Sequence, residues 1–389
     1  MTATDDKKGA RKSPPFYSIQ AFLWYIEMME IKRRKTRPLK IGHVTVGGDS
    51  PVSVQSMANT HTADVSATVS QIKRLEEAGC EIIRVAVPDE SSAAAISKIK
   101  KAIKIPLIAD IHFDWKLALK SLDSGADALR LNPGNIGSAV RIREVVKAAS
   151  SKGACIRIGV NAGSLEKDLL EKHGHPTAEA MAESAMRHIR ILEDEGFDAI
   201  KVSLKASSVL KTIAAYRLLA GMVDYPFHVG ITEAGTLFSG TIKSSVGLGI
   251  LFSEGLGDTL RVSLTADPAE EVKAGWEILK SLGLRQRGVS VVSCPTCGRI
   301  KINCEKLALE VETRLSHIKE PITIAVMGCV VNGPGEAMEA DVGIAGGDGV
   351  ALLYSGGKVL RKVREIDAAD ALVEEVERIV KDRPSKAEA

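Results

Sequence analysis

The sequence predicts an α/β protein, a (β/α)₈ TIM barrel followed by a small α/β domain that contains a group of cysteines. Two patterns predict this fold. Between about residue 40 and residue 284, apolar runs of strand length alternate eight times with amphipathic stretches, which is the repeat of a barrel of about 250 residues. A shorter α/β pattern runs to the C-terminus, and four of the six cysteines fall in it.

The composition is that of a soluble globular chain with room for one large and one smaller domain. Of 389 residues, 45% are hydrophobic and 26% are charged, the ordinary mixture for such proteins. The net charge of +3 is too small to indicate nucleic-acid binding. Six cysteines in so long a chain do not form a disulfide framework.

Residues 1–36 are predicted to be an N-terminal extension, disordered or artefactual. Their apolar stretch is interrupted by Gln20 and Glu27 and is shorter than the ~20 residues of a membrane span. The basic segment "KRRK" follows where a signal peptide would have a small-residue cleavage site. We expect the functional start at Met28 or Met29, with a short helix packed on the body as the alternative. Either fits a cytoplasmic protein.

Eight apolar runs predict the barrel strands. Their near-continuous apolar character is typical of parallel strands buried on both faces. A helix start follows the eighth run, because Asp267 reads as an N-cap and Pro268 as the first helical residue. An open doubly wound sheet is the alternative, but its usual glycine-rich dinucleotide loop does not occur after the first run. The runs span 52–59, 81–88, 105–112, 128–134, 155–164, 199–207, 227–235 and 260–267.

Basic residues recur at the ends of these predicted strands, where barrel enzymes have their active sites. A cation inside an apolar strand is costly unless it is paired or faces the barrel mouth. Five together predict a bound phosphate or diphosphate held by charge-assisted hydrogen bonds, with internal salt bridges as the alternative. The five are Arg84, Arg130, Arg157, Lys205 and Arg261.

Other polar residues near the same strand ends are candidate substrate ligands. Each is also compatible with a hydrogen-bonded core residue, which is the commoner outcome for a lone histidine. Glu233 differs from them, because a carboxylate that faces phosphates is repelled unless it binds a hydroxyl or donates a proton. We therefore expect Glu233 to be a catalytic acid. The candidate ligands are Asp110, His112, Asn132, Asn161 and Ser263.

The downstream pattern predicts a second domain over residues 285–389, after a barrel domain over residues 37–284. Its strands and helices alternate over about a hundred residues. Strands are expected at 288–293, at 322–327, in "DVGIAGG" and in "ALLYSGGKVL", with helices near 304–317 and 366–382.

The segment "SCPTCGR" places Cys294 and Cys297 three residues apart, a spacing that disulfides, zinc sites and iron–sulfur sites share. Cys329 opens the loop "GCVVNGPGE", whose glycines let the backbone pass close to something large. A zinc ion would need a fourth ligand from Cys304 or His317, although structural zinc usually comes with paired short clips.

A 4Fe–4S cluster bound by three cysteines leaves one iron for a weak ligand or for substrate. Glu336, seven residues beyond Cys329, is the candidate oxygen ligand. Cys304 is expected instead to be a core residue in the first turn of a helix. Cys80 and Cys155 begin apolar runs and are expected to be small core residues.

The motifs "LNPGN", "RIGVNAGSLE", "KVSLKAS", "GITEAG", "LRVSLTADP", "CPTCGR" and "MGCVVNGPGEA" resemble the family of bacterial two-domain 4-hydroxy-3-methylbut-2-en-1-yl diphosphate synthases. The resemblance runs from about residue 37 to about residue 380. The first thirty-odd residues and Cys304 have no counterpart in the family's pattern. The pair formed by "CPTC" and "GCVVNGPGE" is the most specific part of the resemblance.

The resemblance implies an iron–sulfur oxidoreductase of the methylerythritol phosphate route to isoprenoids. It implies a 4Fe–4S cluster on Cys294, Cys297 and Cys329, with Glu336 on the fourth iron. The expected reaction is the two-electron reductive ring opening of 2-C-methyl-D-erythritol 2,4-cyclodiphosphate, with flavodoxin or ferredoxin as the electron donor. The implied assembly is a homodimer in which one chain's cluster domain covers the other chain's barrel mouth.

Two other hypotheses compete with this one. The first is a phosphate-binding barrel enzyme of aldolase or pterin-synthase type with a zinc-stabilised C-terminal module. The second makes that module a zinc knuckle for RNA, which would need a basic patch and stacking aromatic residues that this region lacks. We therefore expect no nucleic-acid partner. We also expect no membrane partner, because the N-terminal apolar stretch is interrupted and short.

Overall fold

The computed structural model of the chain describes residues 31–383. The chain divides into two compact units, of which the first ends at Gly275 and the second begins at Trp276. This division falls inside a helix, ahead of the boundary at 284/285 that the sequence predicts. The predicted start at Met28 or Met29 lies outside the described residues. None of the helices between residues 31 and 383 combines the length and the hydropathy that a bilayer-crossing helix requires.

The first unit is a closed parallel barrel, which confirms the predicted fold. The sheet order is β8-β7-β6-β5-β4-β3-β10-β9, every pairing is parallel, and a bridge from Val202 to Phe227 joins the two end strands. A short hairpin precedes it, β1 (Leu39–Ile41) and β2 (Val44–Val46). The barrel strands are β3 (Ser53–Met57), β4 (Ile82–Ala86), β5 (Leu107–Asp110), β6 (Ala128–Leu131), β7 (Cys155–Asn161), β8 (Ile200–Lys205), β9 (His228–Val229) and β10 (Thr259–Leu260).

Two of these strands are much shorter than their apolar runs. The runs over 227–235 and 260–267 predict long strands, but β9 and β10 contain two residues each. After β9 the chain leaves the hydrogen-bonded sheet at Gly230, which lies so close to the next segment that an added Cβ would clash with the Arg261 carbonyl oxygen. Of the residues that follow, Thr232, Arg261 and Ser263 line a cavity at the barrel mouth, whereas Ile231 and Val262 are buried.

Helices follow the strands and form the outer layer of the barrel. Several begin at a side chain that accepts a backbone N–H bond, such as Asp64, Asp89 and Ser208, the usual way to satisfy a helix start. The predicted start at Pro268 is confirmed, with Asp267 accepting a hydrogen bond from the Ala269 N–H. The helices are α1 (Val65–Ala78), α2 (Glu90–Ala102), α3 (Trp115–Asp123), α4 (Pro133–Ile136), α5 (Ala139–Lys152), α6 (Lys167–His173), α7 (Ala178–Glu193), α8 (Val209–Ala220), α9 (Leu237–Ser253) and α10 (Pro268–Ser281).

The β1–β2 hairpin closes the amino-terminal end of the barrel. Leu39, Ile41 and Val46 form one buried cluster with residues that begin the barrel strands, such as Ile82. The residues before the hairpin also belong to the barrel. Arg33 pairs with Asp258 at 2.9 Å, and Arg34 donates to the carbonyl oxygens of Val223 and Tyr225. Arg33 and Arg34, which the sequence assigned to the extension 1–36, are therefore corrected to the barrel unit.

The second unit contains a five-stranded sheet in chain order. β11, β12 and β13 are parallel, whereas β14 and β15 are antiparallel. The sequence treated "ALLYSGGKVL" as one strand; it is a hairpin, because Gly356 and Gly357 have φ of +53° and +77°, the values a tight hairpin turn requires. The strands are β11 (Val289–Ser293), β12 (Ile322–Met327), β13 (Val342–Gly347), β14 (Val350–Ser355) and β15 (Lys358–Arg364), and the helices are α11 (Cys304–Arg314), α12 (Gly333–Glu339) and α13 (Ala368–Asp382).

Candidate functional site

A cavity of about 150 Å³ opens at the carboxyl ends of the barrel strands. Nine of the ten predicted substrate ligands line it, all except Asn132. Gly159, Ser203 and Thr232 also line it and were missed, because small residues inside strand runs carry no signal of their own. The nine are Arg84, Asp110, His112, Arg130, Arg157, Asn161, Lys205, Arg261 and Ser263.

Positive charge exceeds negative charge around this cavity. Asp110 is the only carboxylate among the described lining residues. It accepts from Arg130 at 3.2 Å and pairs with Arg84 at 3.6 Å. Arg261 has a separate partner, Glu271, at 3.1 Å. Two carboxylates thus pair with some of the five cations and leave an excess of positive charge, so that an anionic ligand is favoured.

Arg157 is the most deeply buried of the five cations. It is 1% exposed, and its Nη1 donates to Ser203 Oγ at 2.9 Å. Its Nε and Nη2, and Nε of Arg130, have no hydrogen-bond partner among the described residues. A buried donor without a partner costs free energy, and oxygen atoms of a bound phosphate would satisfy these donors.

The cations in this cavity perturb one another. Burial, together with the charges of Arg84 and Arg130, holds the pKa of Arg157 well below its usual range. Burial lowers the pKa of Arg84 to about 10. Burial raises the pKa of Asp110, but Arg84, Arg130 and Arg157 more than offset that effect and the net shift is downward. The site is thus a cluster of cations with too little counter-charge to balance it.

A glycine in β7 makes room for one of these arginines. A Cβ at Gly159 would lie 2.6 Å from Arg130 Nε, and the Gly159 carbonyl accepts from Arg130 Nη2 at 3.0 Å. Asn132 braces the same residue, since its Oδ1 accepts from the Gly159 N–H at 2.9 Å. Asn132 is not among the residues that line the cavity, and this bond ties it to β7.

His112 and Glu233 lie toward solvent. The His112 side chain is 60% exposed, with Nε2 3.7 Å from Asp110 Oδ1. Glu233 is exposed and does not line the cavity, whereas its neighbour Thr232 does. Glu233 is also the only non-glycine among the described residues with a positive φ, +52°. Such a conformation is unfavourable for an L-residue and is often associated with function.

The cysteines form a second group at the carboxyl ends of β11 and β12. Cys294 follows β11 directly, and Cys329 lies two residues beyond the end of β12, its parallel neighbour. The Cys294 N–H donates to Val326 at 3.0 Å. The Lys301 N–H donates to the Gly328 carbonyl at 2.7 Å, which joins the loop of Cys297 to the loop of Cys329.

The donor set fits an iron–sulfur cluster. Cys294, Cys297 and Cys329 are all free thiols. Between residues 31 and 383, no three His, Cys, Asp or Glu side chains converge on one point as ligands of a single metal ion. A cluster makes no such demand, because its thiolates bind different irons. Glu336 is exposed in the first turn of α12, the helix that follows the Cys329 loop.

Cys304 is a core residue at the start of α11, as predicted, and is 1% exposed. Burial, with the nearby Cys294 and Cys329, raises its pKa to about 11. It lies against the Cys329 loop, because a Cβ at Gly328 would be 2.8 Å from its Sγ. The zinc alternative named His317, which is exposed and bonded to the Arg314 carbonyl.

Two family models match the chain. The GcpE TIM-barrel domain matches residues 36–276, and the GcpE protein C-terminal domain matches residues 290–378. The chain belongs to the GcpE family. The two GcpE matches leave residues 277–289 between them, which include the predicted domain boundary.

Relatives of this GcpE chain are similar over nearly its full described length. The 4-hydroxy-3-methylbut-2-en-1-yl diphosphate synthase (flavodoxin) of Geobacter sulfurreducens is 64% identical over 90% of this chain and 99% of the relative. The protein of the same name from Caldanaerobacter subterraneus is 59% identical, and the match covers 90% of this chain and 99% of that relative. A solved dihydropteroate synthase from Stenotrophomonas maltophilia is 13% identical with a TM-score of 0.47, covering 64% of this chain and 98% of that one; nothing is concluded from it.

Proposed function

We propose that this GcpE-family chain is an oxidoreductase that opens the ring of 2-C-methyl-D-erythritol 2,4-cyclodiphosphate reductively. The product is 4-hydroxy-3-methylbut-2-enyl diphosphate, an intermediate of isoprenoid biosynthesis. The observation that carries the proposal is the excess of buried cations around the barrel cavity. Relatives named for this product diphosphate, at 64% and 59% identity, support the choice of ligand.

The arginines and the lysine bind the diphosphate. Arg157 and Arg130 line the cavity and carry donor nitrogens without a hydrogen-bond partner among the described residues, so phosphate oxygens that reach them form hydrogen bonds without breaking existing ones. Arg84, Lys205 and Arg261 add charge at the same cavity. Because the fold holds these cations against their mutual repulsion, ligand binding relieves strain as well as forming contacts.

The remaining lining residues orient the carbon skeleton. Asp110, held by Arg84 and Arg130, stays ionised and accepts hydrogen bonds from substrate hydroxyls. Asn161, Ser263 and His112 offer further donors and acceptors at the mouth. Glu233 follows Thr232 in the strained loop after β9, and we assign it the protonation of the departing oxygen.

Cys294, Cys297 and Cys329 would hold a 4Fe–4S cluster, with Glu336 as a weaker oxygen ligand. When bound, such a cluster supplies electrons one at a time and a Lewis-acidic iron. Flavodoxin, which the relatives' names carry, is the proposed electron donor, with ferredoxin as the alternative donor. A cytoplasmic location accords with these partners.

An exposed apolar surface on the barrel supports a homodimer. Helix α9 contains one charged residue, Lys243, and exposes Leu237, Phe238, Ile242 and Val246, with Phe238 80% exposed. Large exposed apolar patches mark interaction sites, and a twofold interface brings the same patch of both subunits together, so a patch with a single charge meets little like-charge repulsion. Phe238→Glu is expected to shift the protein from dimer to monomer in light scattering; a monomeric wild type would contradict this assembly.

The test of the proposed function is an anaerobic turnover assay. Purified protein is supplied with the cyclic diphosphate and reduced flavodoxin, and the linear diphosphate is measured by mass spectrometry. We expect turnover together with iron and acid-labile sulfide near four of each per chain. Zinc-loaded, iron-free protein that binds the ligand without converting it would contradict the proposal.

A further inference from the structure

His228 is a buried polar residue that none of the sequence motifs assigned to the site. It lies in β9, is 0% exposed and does not line the cavity. Its Nε2 is 3.4 Å from Nζ of Lys205, which does line the cavity. Its Nδ1 is 2.8 Å from Thr259 Oγ1 in β10, the parallel neighbour of β9. The imidazole thus connects a barrel strand to a cation of the binding site.

The surroundings of His228 require a neutral ring. The strongest charge effects on it come from four cations: Lys205 and Lys201 from β8, Arg157 from β7 and Arg84 from β4. Burial and these cations hold the pKa of His228 well below its usual range. Burial and the neighbouring arginines lower the pKa of Lys205 as well. When Lys205 is protonated, its ammonium group only donates hydrogen bonds, so Nε2 then accepts from it. The ring proton then lies on Nδ1 and is donated to Thr259 Oγ1.

Lys205 is confined on its other side by a glycine. A Cβ at Gly230 would lie 3.0 Å from Lys205 Nζ and would clash with the Arg261 carbonyl oxygen. The ammonium group therefore has a narrow space between the imidazole and the Gly230 backbone. Arg157, Arg84 and Arg261 repel it from within the barrel. Without an acceptor at His228, little would hold the ammonium in this space.

We propose that His228 is a positioning residue for Lys205: the neutral imidazole accepts a hydrogen bond from the ammonium group and holds it toward the anion in the cavity. The proposal rests on the proposed function only in taking that anion to be a diphosphate. His228 touches neither the cavity nor the reacting atoms, and it acts through Lys205 alone.

Two substitutions separate the two bonds of the ring. In His228→Asn the amide reaches the position of Nδ1 and keeps the Thr259 bond, whereas in His228→Gln it reaches the position of Nε2 and keeps an acceptor for Lys205. We expect His228→Asn to weaken binding of the cyclic diphosphate about tenfold and His228→Gln by less than about threefold, the range of one hydrogen bond to a charged group. The rate at saturating substrate should change little in either variant, and both should melt at similar temperatures. Equal affinities for Asn and Gln would overturn the proposal.

A double-mutant cycle tests whether His228 acts through Lys205. In a Lys205→Met background, His228→Asn is expected to have no further effect on affinity. The same tenfold loss in that background would mean that His228 supports the barrel generally, and the proposal would fail. Titrations with inorganic diphosphate run in parallel. If the wild type binds inorganic diphosphate but not the cyclic substrate, the proposed function fails, while the cycle with inorganic diphosphate still decides the role of His228.

Discussion

The two candidate sites of this chain are built in opposite ways. In the barrel, the groups that face the cavity come from several strands, and the cations are in position before any ligand arrives, with Arg157 only 1% exposed. In the second unit, Cys294 and Cys297 are only half-buried on a loop and Glu336 is exposed. The cations of the anion site lie in or directly after barrel strands, whereas the predicted ligands of the cysteine site lie on loops and in one short helix.

This difference has opposite consequences for stability. Buried like charges without counter-ions destabilise the ligand-free barrel, so function there opposes folding. Free thiols behave as small apolar groups, so they cost little whether half-buried, as at Cys294, or buried, as at Cys329. Substitutions in the barrel site should therefore separate binding from stability, and substitutions in the thiol site should separate cluster content from the fold.

The largest effect is expected from Cys329→Ser. Removing one of three thiolates should abolish the bound iron and the turnover, since the remaining ligands do not close the site. Iron analysis and visible absorption of anaerobically purified protein measure this. Cys304→Ser is the matched control, because Cys304 lies in the same region but in the core of α11. Full iron content in Cys329→Ser, or iron loss in both variants, would contradict the assigned ligand set.

Arg157→Met should have the next largest effect. It should weaken diphosphate binding but stabilise the protein in the absence of ligand. Loss of a buried cation should weaken diphosphate binding by about a hundredfold, the range of one or two charge-assisted hydrogen bonds. It should also raise the melting temperature of the ligand-free protein by a few degrees, because burial and two neighbouring arginines disfavour that charge. Titration calorimetry measures the affinity for the diphosphate, and scanning calorimetry measures the melting temperature.

Arg143→Met serves as the control for this substitution. Arg143 is 61% exposed and pairs with Glu195, so neither binding nor melting should change much. A lower melting temperature in Arg157→Met with unchanged affinity would show that Arg157 is a structural ion and would remove the contrast between the sites.

The sequence predicted those features of the two sites that follow from the spacing of apolar, charged and cysteine residues along the chain. Eight apolar runs indicate a barrel, and charged residues within apolar runs are conspicuous, so that most of the cavity was found. His228, Ser203 and Gly159 were missed because their roles depend on which atoms meet across strands. The bond between Asn132 and Gly159 was missed for the same reason, since a position at a strand end does not say which backbone group the amide contacts.

The smallest effect concerns Glu166, which lies in the segment that follows the end of β7 at Asn161. Burial raises the pKa of Glu166, but hydrogen bonds from His188 and Ser184 more than offset it and lower the pKa to about 2. A carboxylate with a depressed folded pKa stabilises the protein above its unfolded pKa, about 4.3, and the benefit is lost as pH falls through the folded value.

Glu166→Gln should therefore lower the melting temperature by a constant, small amount above about pH 5. The difference from wild type should shrink as pH falls from about 4.3 toward 2. Melting curves of both proteins at matched pH values measure the difference. Parallel curves over the whole range would mean that Glu166 does not titrate differently in the folded state.

The most direct test of the contrast is a calorimetric titration of Cys329→Ser with the cyclic diphosphate. If the barrel site is preorganised and independent of the thiols, this iron-free variant should still bind one ligand per chain, with an affinity within about tenfold of wild type. Absence of binding would contradict the account, because the cations of the barrel would then not be sufficient to hold the diphosphate.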